Sequence, residues 1–337
     1  MSSNPETNTP TESKAQTTPA TAQVSRSSIR QFDWRQYVVY IGFVVLFLFF
    51  AITQYSAGFL TPTNLLNIVR QTAIISVMAV AMTFVIACGE IDLSVGSVAG
   101  LASVATALTI ARFGLIPGVL AGLLTGTIVG LSNGLLRTRI GIPSFLVTLG
   151  MGLICTGVAM WITATAPVPI LVDTYNNIFG SGQIGPIPSL FVWTLIFLVF
   201  GHIVFRKTPY GRQVLATGGN EAAARFTGVR TLNIKLIALT VSSAVAALAG
   251  MLYAGRLHSG RFQWGQGDEL SVIAAVILGG TSLAGGNGSI IGAVMGSLLI
   301  GLINNGLILA GLELSQQYIV RGAIIILAVA LARRPSH

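Results

Sequence analysis

LIPGVLAGLLTGTIVGLSNGLL, Leu115–Leu136, carries no charged side chain and repeats glycine at four-residue steps: Gly118, Gly122, Gly126, Gly130 and Gly134. About 20 apolar residues in a row cross the hydrocarbon core of a bilayer as a helix, because in lipid each backbone polar group must be satisfied within the segment. At that spacing the glycines form one stripe of the helix. Lipid gives helices no hydrophobic reason to associate, so a small-residue stripe reads as a packing face where two backbones approach and gain dispersion contacts. Gly288, Gly292 and Gly296 repeat the device later in the chain.

The whole chain has the same character. Of its 337 residues 53% are hydrophobic and only 9% charged, against roughly a quarter charged in soluble domains. The reading is an all-α integral membrane protein. Apolar runs near 37–53, 73–88, 95–111, 115–136, 142–163, 188–205, 236–254, 270–284, 289–311 and 317–332 make about ten transmembrane helices. Two of these stand apart: 73–88 is short, and 270–284 holds Gly279, Gly280, Thr281 and Ser282, which fits either a tilted helix or a re-entrant half-helix. Residues 1–34, rich in Ser, Thr, Pro and Gln, read as a disordered cytoplasmic tail, and 35–334 as the transmembrane domain. The first apolar run starts too far along the chain to fit a cleaved signal peptide.

Nineteen Lys and Arg outnumber ten acids, giving a net charge of +9. The basic residues fall between apolar runs and not on one soluble face, which argues for cytoplasmic loops and against nucleic acid. With the N-terminus inside, Arg137, Arg139, Arg206, Lys207, Arg212, Arg225, Arg230, Lys235, Arg333 and Arg334 lie on the cytoplasmic side. The other side receives only Arg70, Arg112, Arg256, Arg261 and Arg321. An even number of spans then puts both termini in the cytoplasm. Cys88 and Cys155 sit within or at the end of apolar runs and imply no disulfide.

Few residues carry chemistry. Nowhere does the chain fit G-x-x-x-x-G-K-[ST], so it has no phosphate-cradling loop of its own and is not read as an enzyme. His202, His258 and His337 are scattered, and no Cys/His cluster has metal-ligand spacing. CGEIDLSVGS, Cys88 to Ser97, holds two acids close to the spans, Glu90 and Asp92. An ion site is one reading of them. The better fit is a cap, with Asp92 or Ser94 accepting the free N–H bonds of the following helix. VIACGEIDLSVGSVAG aligns with VILGGTSLAGGNGSIIG once a single residue is gapped, as a parallel internal repeat would.

The least membrane-like segment is the loop of about 206–235. Within it, Asn220 is a favoured N-cap, Glu221 puts a negative charge in the first turn, Ala222, Ala223 and Ala224 are strong helix formers, and Gly228 suits a C-terminal stop. A helix of about seven residues follows. One so short is marginal in isolation, so its own surroundings or a partner surface must hold it.

PYGRQVLATGGNEAAARFTGVR, GEIDLSVGS and ILGGTSLAGGNGS together resemble the membrane-spanning permease subunits of bacterial ABC importers for monosaccharides, the ribose, xylose and arabinose permease family. The resemblance runs over roughly residues 35 to 332. It implies that the short cytoplasmic helix couples to an ATP-hydrolysing subunit, through positions matching Gly211, Gly219, Asn220, Glu221, Ala222, Ala223, Arg225 and Gly228. It further implies two permease chains, two ATPase domains that bind the ATP and Mg, and an external solute-binding protein, in the bacterial inner membrane with no cofactor in this chain. For a sugar, Thr125, Asn133, Thr148, Asn304 and Asn305 offer hydroxyl partners, and Phe84, Phe145 or Trp161 a stacking face; in a span such residues also serve simply to bond or pack neighbouring helices. A permease of the same class for a sugar alcohol, nucleoside or autoinducer is the alternative, and an ion-coupled transporter a more distant one.

Overall fold

A computed structural model describes residues 38–332 of the protein. The proposed tail, Arg333 and Arg334, and with them the expected side of both termini, lie outside the described residues. The described residues are mostly helical. In order come α1 (Val38–Thr53), α2 (Pro62–Ala87), α3 (Val95–Phe113), α4 (Leu115–Leu135) with a π-helical turn (Leu136–Ile140), α5 (Ser144–Thr163) and α6 (Asp173–Phe179). Then follow α7 (Ser189–Lys207), α8 (Pro209–Gly219), α9 (Glu221–Phe226), α10 (Thr231–Leu257), α11 (Asp268–Leu278), α12 (Ile290–Leu309) and α13 (Leu314–Ala332). Among the described residues seven helices, α2, α3, α4 with its π turn, α5, α7, α10 and α12, are long and apolar enough to cross a membrane. Among the described residues the strands are two short antiparallel pairs, β1 (Val168–Pro169) with β4 (Ser259–Gly260), and β2 (Gln183–Ile184) with β3 (Ile187–Pro188).

Three sequence expectations are corrected or narrowed. The span placed at 73–88 begins at Pro62: Thr61 accepts a hydrogen bond from the Asn64 N–H and Pro62 occupies the first helical turn, so polar residues start a helix of 26 residues. Scanning for apolar residues alone misses that capped polar start. The span placed at 270–284 takes the shorter of its two readings: it is the 11-residue α11, which stops at Leu278, where Gly279 and then Gly280 at φ +90° leave the helix. In the loop of 206–235 the short helix expected after Asn220 is present as α9, but a second helix, α8, precedes it, and the last residues already belong to α10.

The glycine stripes are packing faces. Along α4, a Cβ at Gly126 would meet Ser243 and Ala247, one at Gly130 Leu239 and Thr240, and one at Gly134 Leu236, all on α10, while one at Gly122 would meet Thr106 of α3 first and Met251 of α10 next. Gly118 is pressed instead on Ile110 and Thr106 of α3. The second stripe works the same way, with Gly292 against the Gly279 backbone and Gly296 against Ala275 of α11. Side-chain hydroxyls assist: Ser76 of α2 and Ser297 of α12 share a buried hydrogen bond of 2.6 Å.

The two repeat-like loops, between α2 and α3 and between α11 and α12, lie at one pole and touch. The Gly286 N–H donates to the Ala87 carbonyl at 2.9 Å. At the opposite pole Tyr175 of α6 donates to the Met251 carbonyl, and Arg256 at the end of α10 reaches the Arg70 carbonyl. The basic residues assigned to the inner side by charge counting that make ion pairs, Arg137, Arg225 and Lys235, do so at the first pole.

Gly126→Leu drives a side chain into Ser243 and Ala247 and should lower the unfolding free energy by about 1–3 kcal/mol or more, the usual cost of overpacking. Gly157→Ala, on an exposed stretch of α5 with nothing within 4 Å of the added Cβ, should not. Thermal unfolding in one detergent, compared between the two variants, measures the difference.

Candidate functional site

The pole where the loops meet is built around three close approaches of main chain. Gly218, at the end of α8, sits where a Cβ would strike the Ala87 carbonyl and the Gly286 N–H, so α8 is wedged between the two repeat-like loops. Gly285, at φ +81°, faces Gly218 from the other side. At the other end of α8, Gly211 is pressed on the Phe205 carbonyl, while Thr208 caps the helix by accepting from the Gly211 N–H. Aromatic packing fills the corner: Phe84 lies edge-on to Phe205 at 5.1 Å and stacks on Tyr210 at 6.0 Å.

α9 follows after a single residue. Asn220 ends α8 and starts α9, its side-chain oxygen accepting from the Ala223 N–H at 3.0 Å. Gly228 turns the chain away at φ +88°, a left-handed conformation that glycine adopts without strain. Ala224 faces inward, whereas Ala222, Ala223, Arg225 and Phe226 are exposed. Phe226 is 93% exposed, an aromatic ring in the open on a helix of six residues.

Charged side chains tie α9 down. Glu221 pairs with Arg225 on its own helix and with Lys235 of α10 at 2.7 Å, and accepts from the Thr231 hydroxyl at 3.2 Å. Lys235 also reaches Glu90 at 2.8 Å, and Arg137 of the π turn donates to both Glu90 oxygens at 2.9 Å. Burial raises the Glu90 carboxyl, but Arg137, Lys235 and Ser144 outweigh it and hold it below the usual carboxylate range. Burial likewise opposes the charge on Glu221, and Lys235, Arg225 and Thr231 nevertheless bring it down to about 2.

Asp92 does not cap α3. Its Oδ1 accepts from the backbone N–H and hydroxyl of Ser94, at 3.0 and 2.6 Å, and its Oδ2 from the Ser243 hydroxyl at 3.4 Å. Ser94, at the cap position itself, makes no side-chain cap bond. Both residues are buried, and Asp92 organises the loop between α2 and α3 instead.

The residues assigned to a sugar path do not gather in one site; Asn133 and Thr148 alone meet, on the adjacent residues Ser94 and Leu93. Phe84 is buried in the aromatic corner just described. Thr125 donates to the Ala121 carbonyl of its own helix. Asn133 donates to the Ser94 hydroxyl, and Thr148 accepts from the Leu93 N–H. Asn304 is buried on α12, and Asn305 beside it exchanges side-chain hydrogen bonds with Asn64. Phe145 and Trp161 lie exposed on α5. A cavity of about 410 Å³ between α1, α2, α7 and α12, bordered by Phe47, Thr72, Phe191, Thr194 and Met295, contains none of these residues. Sequence reasoning did not single out Gly218 or Phe226, and did not join Lys235 and Arg137 to Glu90. A lone aromatic in a polar helix was the one visible signal; the others depend on contacts between segments far apart in sequence.

Comparison with known proteins places this pole in context. Residues 64–329 match the family described as "Branched-chain amino acid transport system / permease component". The ribose import permease protein RbsC of Bacillus subtilis is 37% identical over 299 residues, covering 88% of this chain and 92% of its own. Its counterpart in Escherichia coli is 38% identical over 291 residues, 85% of this chain and 90% of that one. The L-arabinose ABC transporter permease protein AraH of Azospirillum brasilense is 35% identical over 308 residues, 90% of this chain and 89% of that one. No solved structure gives a significant match.

Because Glu221 holds its proton less readily folded than unfolded, its pairing stabilises the protein fully above pH about 4.5 and is lost as pH falls towards about 2. The stability margin of wild type over Glu221→Gln should therefore be constant from neutral pH down to about 4.5 and shrink below it. Denaturation of the two proteins across that acid range measures the margin.

Proposed function

The chain belongs to the family of transport-system permease components, and on that premise we propose that it forms the translocation pathway of an ATP-driven importer for a monosaccharide in the bacterial inner membrane. The observation that carries the reading is similarity to ribose and arabinose permeases along nearly the whole chain, the three motifs at the α9 pole included. About ten segments cross the membrane in this reading, with both termini in the cytoplasm: α1 and α13 join the seven long apolar helices, and α11, too short to span alone, crosses together with the loop before it, which packs along α3 at Gly96 and Gly100.

Coupling is the task of α8 and α9. Gly211 and Gly218 let α8 lie close to the neighbouring main chain, Gly219 lies in ordinary contact with Gly286, Asn220 and Gly228 start and stop α9, and Glu221 and Arg225 fix its orientation. Ala222, Ala223 and Phe226 form the outward face, which fits a groove on a separate ATPase subunit that binds ATP and Mg. An aromatic ring left in water at the tip of an anchored helix is poorly placed unless a partner covers it. A second copy of the permease completes the pathway, and an external solute-binding protein delivers the sugar. On this scheme the transport step is a shift between outward and inward arrangements driven by differential contacts, with no bond made or broken in this chain. Of the residues assigned to the path, Phe145 keeps an aromatic face open on α5, where a second copy and a passing sugar have access to it.

Phe226→Asp should abolish ATP-dependent uptake while the chain still inserts, and should weaken ATPase binding by about 2 kcal/mol or more, near thirtyfold in Kd. Co-purification of the ATPase subunit with each permease variant reads this directly. Vesicles holding this chain alone should not concentrate sugar; concentrative uptake without ATPase subunits would contradict the importer reading.

A further inference from the structure

The four charged residues at the α9 pole link segments that lie far apart in sequence. Glu221 begins α9, Lys235 lies in the second turn of α10, Glu90 sits in the loop joining α2 to α3, and Arg137 belongs to the π turn that ends α4. Two acids and two bases alternate along the chain of contacts Glu221, Lys235, Glu90, Arg137, so the set is neutral. Its centre is dry. The Lys235 and Glu90 side chains are 5% and 3% exposed, while Arg137 and Glu221 at the two ends are 25% and 33% exposed.

Burial decides how such a chain responds to a pull. In water, a stretched ion pair is replaced by hydration at little cost. Where water has no access, separating Lys235 from Glu90 strands two charges, so displacement of one carries the other along. Arg225, 55% exposed, is screened from Glu221 by water, and it and Glu221 also meet the Thr231 hydroxyl at the start of α10. Of the α10 side chains that hold α9, Lys235 is the one that goes on to Glu90.

We propose that Glu90, Lys235 and Arg137 are positioning residues that transmit movement of α9 to the α2–α3 loop and to the turn between α4 and α5. This rests on the importer reading and extends it from the docking helix to the spans that must move. Glu90 is anchored where it can act: the N–H of the next residue, Ile91, donates to Ser144 at the start of α5, and the Leu93 N–H donates to Thr148 one turn later. A displaced Glu90 thus shifts α5 together with the junction of α2 and α3. The Gly218 wedge gives α8 a main-chain contact with the same loop, so the relay orients a helix that is already seated.

The test uses the assembled complex of permease, ATPase subunits and solute-binding protein in proteoliposomes, reading sugar transported, ATP hydrolysed and ATPase retained. Lys235→Met should keep the ATPase bound and hydrolysing while sugar moved per ATP falls about tenfold or more, within the range of measured coupling free energies. Lys235→Arg, which keeps the charge, should recover most of that ratio. Should Lys235→Met fail to insert, Arg137→Gln, at the more exposed end, should lower the same ratio by a smaller factor. An unchanged ratio in an inserted variant overturns the relay, and so does loss of the bound ATPase, which would mean that these residues only build the docking surface. A wild-type chain that retains no ATPase would instead overturn the importer reading, and the relay with it.

Discussion

Close approach of main chain to main chain, made possible where glycine leaves out the Cβ, is the constraint on which the rest of this protein depends. In lipid there is no hydrophobic gain from bringing two helices together, so the gain must come from dispersion contacts over a matched surface. The α4 stripe supplies that surface against α10, and Gly292 and Gly296 supply it for α12 against α11. The same device operates outside the spans. At Gly218 and Gly285 it brings α8 against two loops at once, and the hydrogen bond from Gly286 to Ala87 closes the contact. A bundle seated in this way has little slack, and a displacement at one pole is carried through it as movement of whole helices.

The pole bearing α8 and α9 combines two kinds of surface. Its interior is polar, with Glu90, Lys235 and Arg137 compensating one another's charge and Asp92 held by two serines. Its exterior ends in Phe226, an apolar ring that none of the described residues covers. An internal ionic lock beneath an open aromatic suits the docking role proposed for α9, in which the helix would grip a partner and keep its orientation towards the spans. A helix of six residues has little stability of its own, and here the lock supplies what helix propensity cannot.

Much of this was legible in advance, and the reasons are local. Asn220 as a cap, Glu221 in the first turn and Gly228 at the stop are read from a few neighbouring residues, and each sits in the structure as its chemistry requires. What failed did so where a distant contact competes with a local rule. Asp92 and Ser94 have the chemistry of caps, yet Ser243 and Asn133, on two other helices, draw their oxygens away from α3. The polar beginning of α2 was hidden because an apolar scan ignores a helix turn made of Pro62, Thr63 and Asn64. The hydroxyls and amides considered for sugar contact are mostly bonded to their own chain, which a sequence pattern has no means of registering.

By itself the sequence determined that the chain is a helical membrane protein, which stripe each glycine-rich span would pack on, and where a polar helix would interrupt the spans. Those properties follow from composition, period and propensity, all of which act over a few turns. Only the tertiary structure decided that Glu90 meets Lys235, that Lys235 also meets Glu221, and that Gly218 lies between Ala87 and Gly286. Pairings of that kind depend on how separate helices settle against one another, and a buried charge takes whichever partner the packing brings within reach.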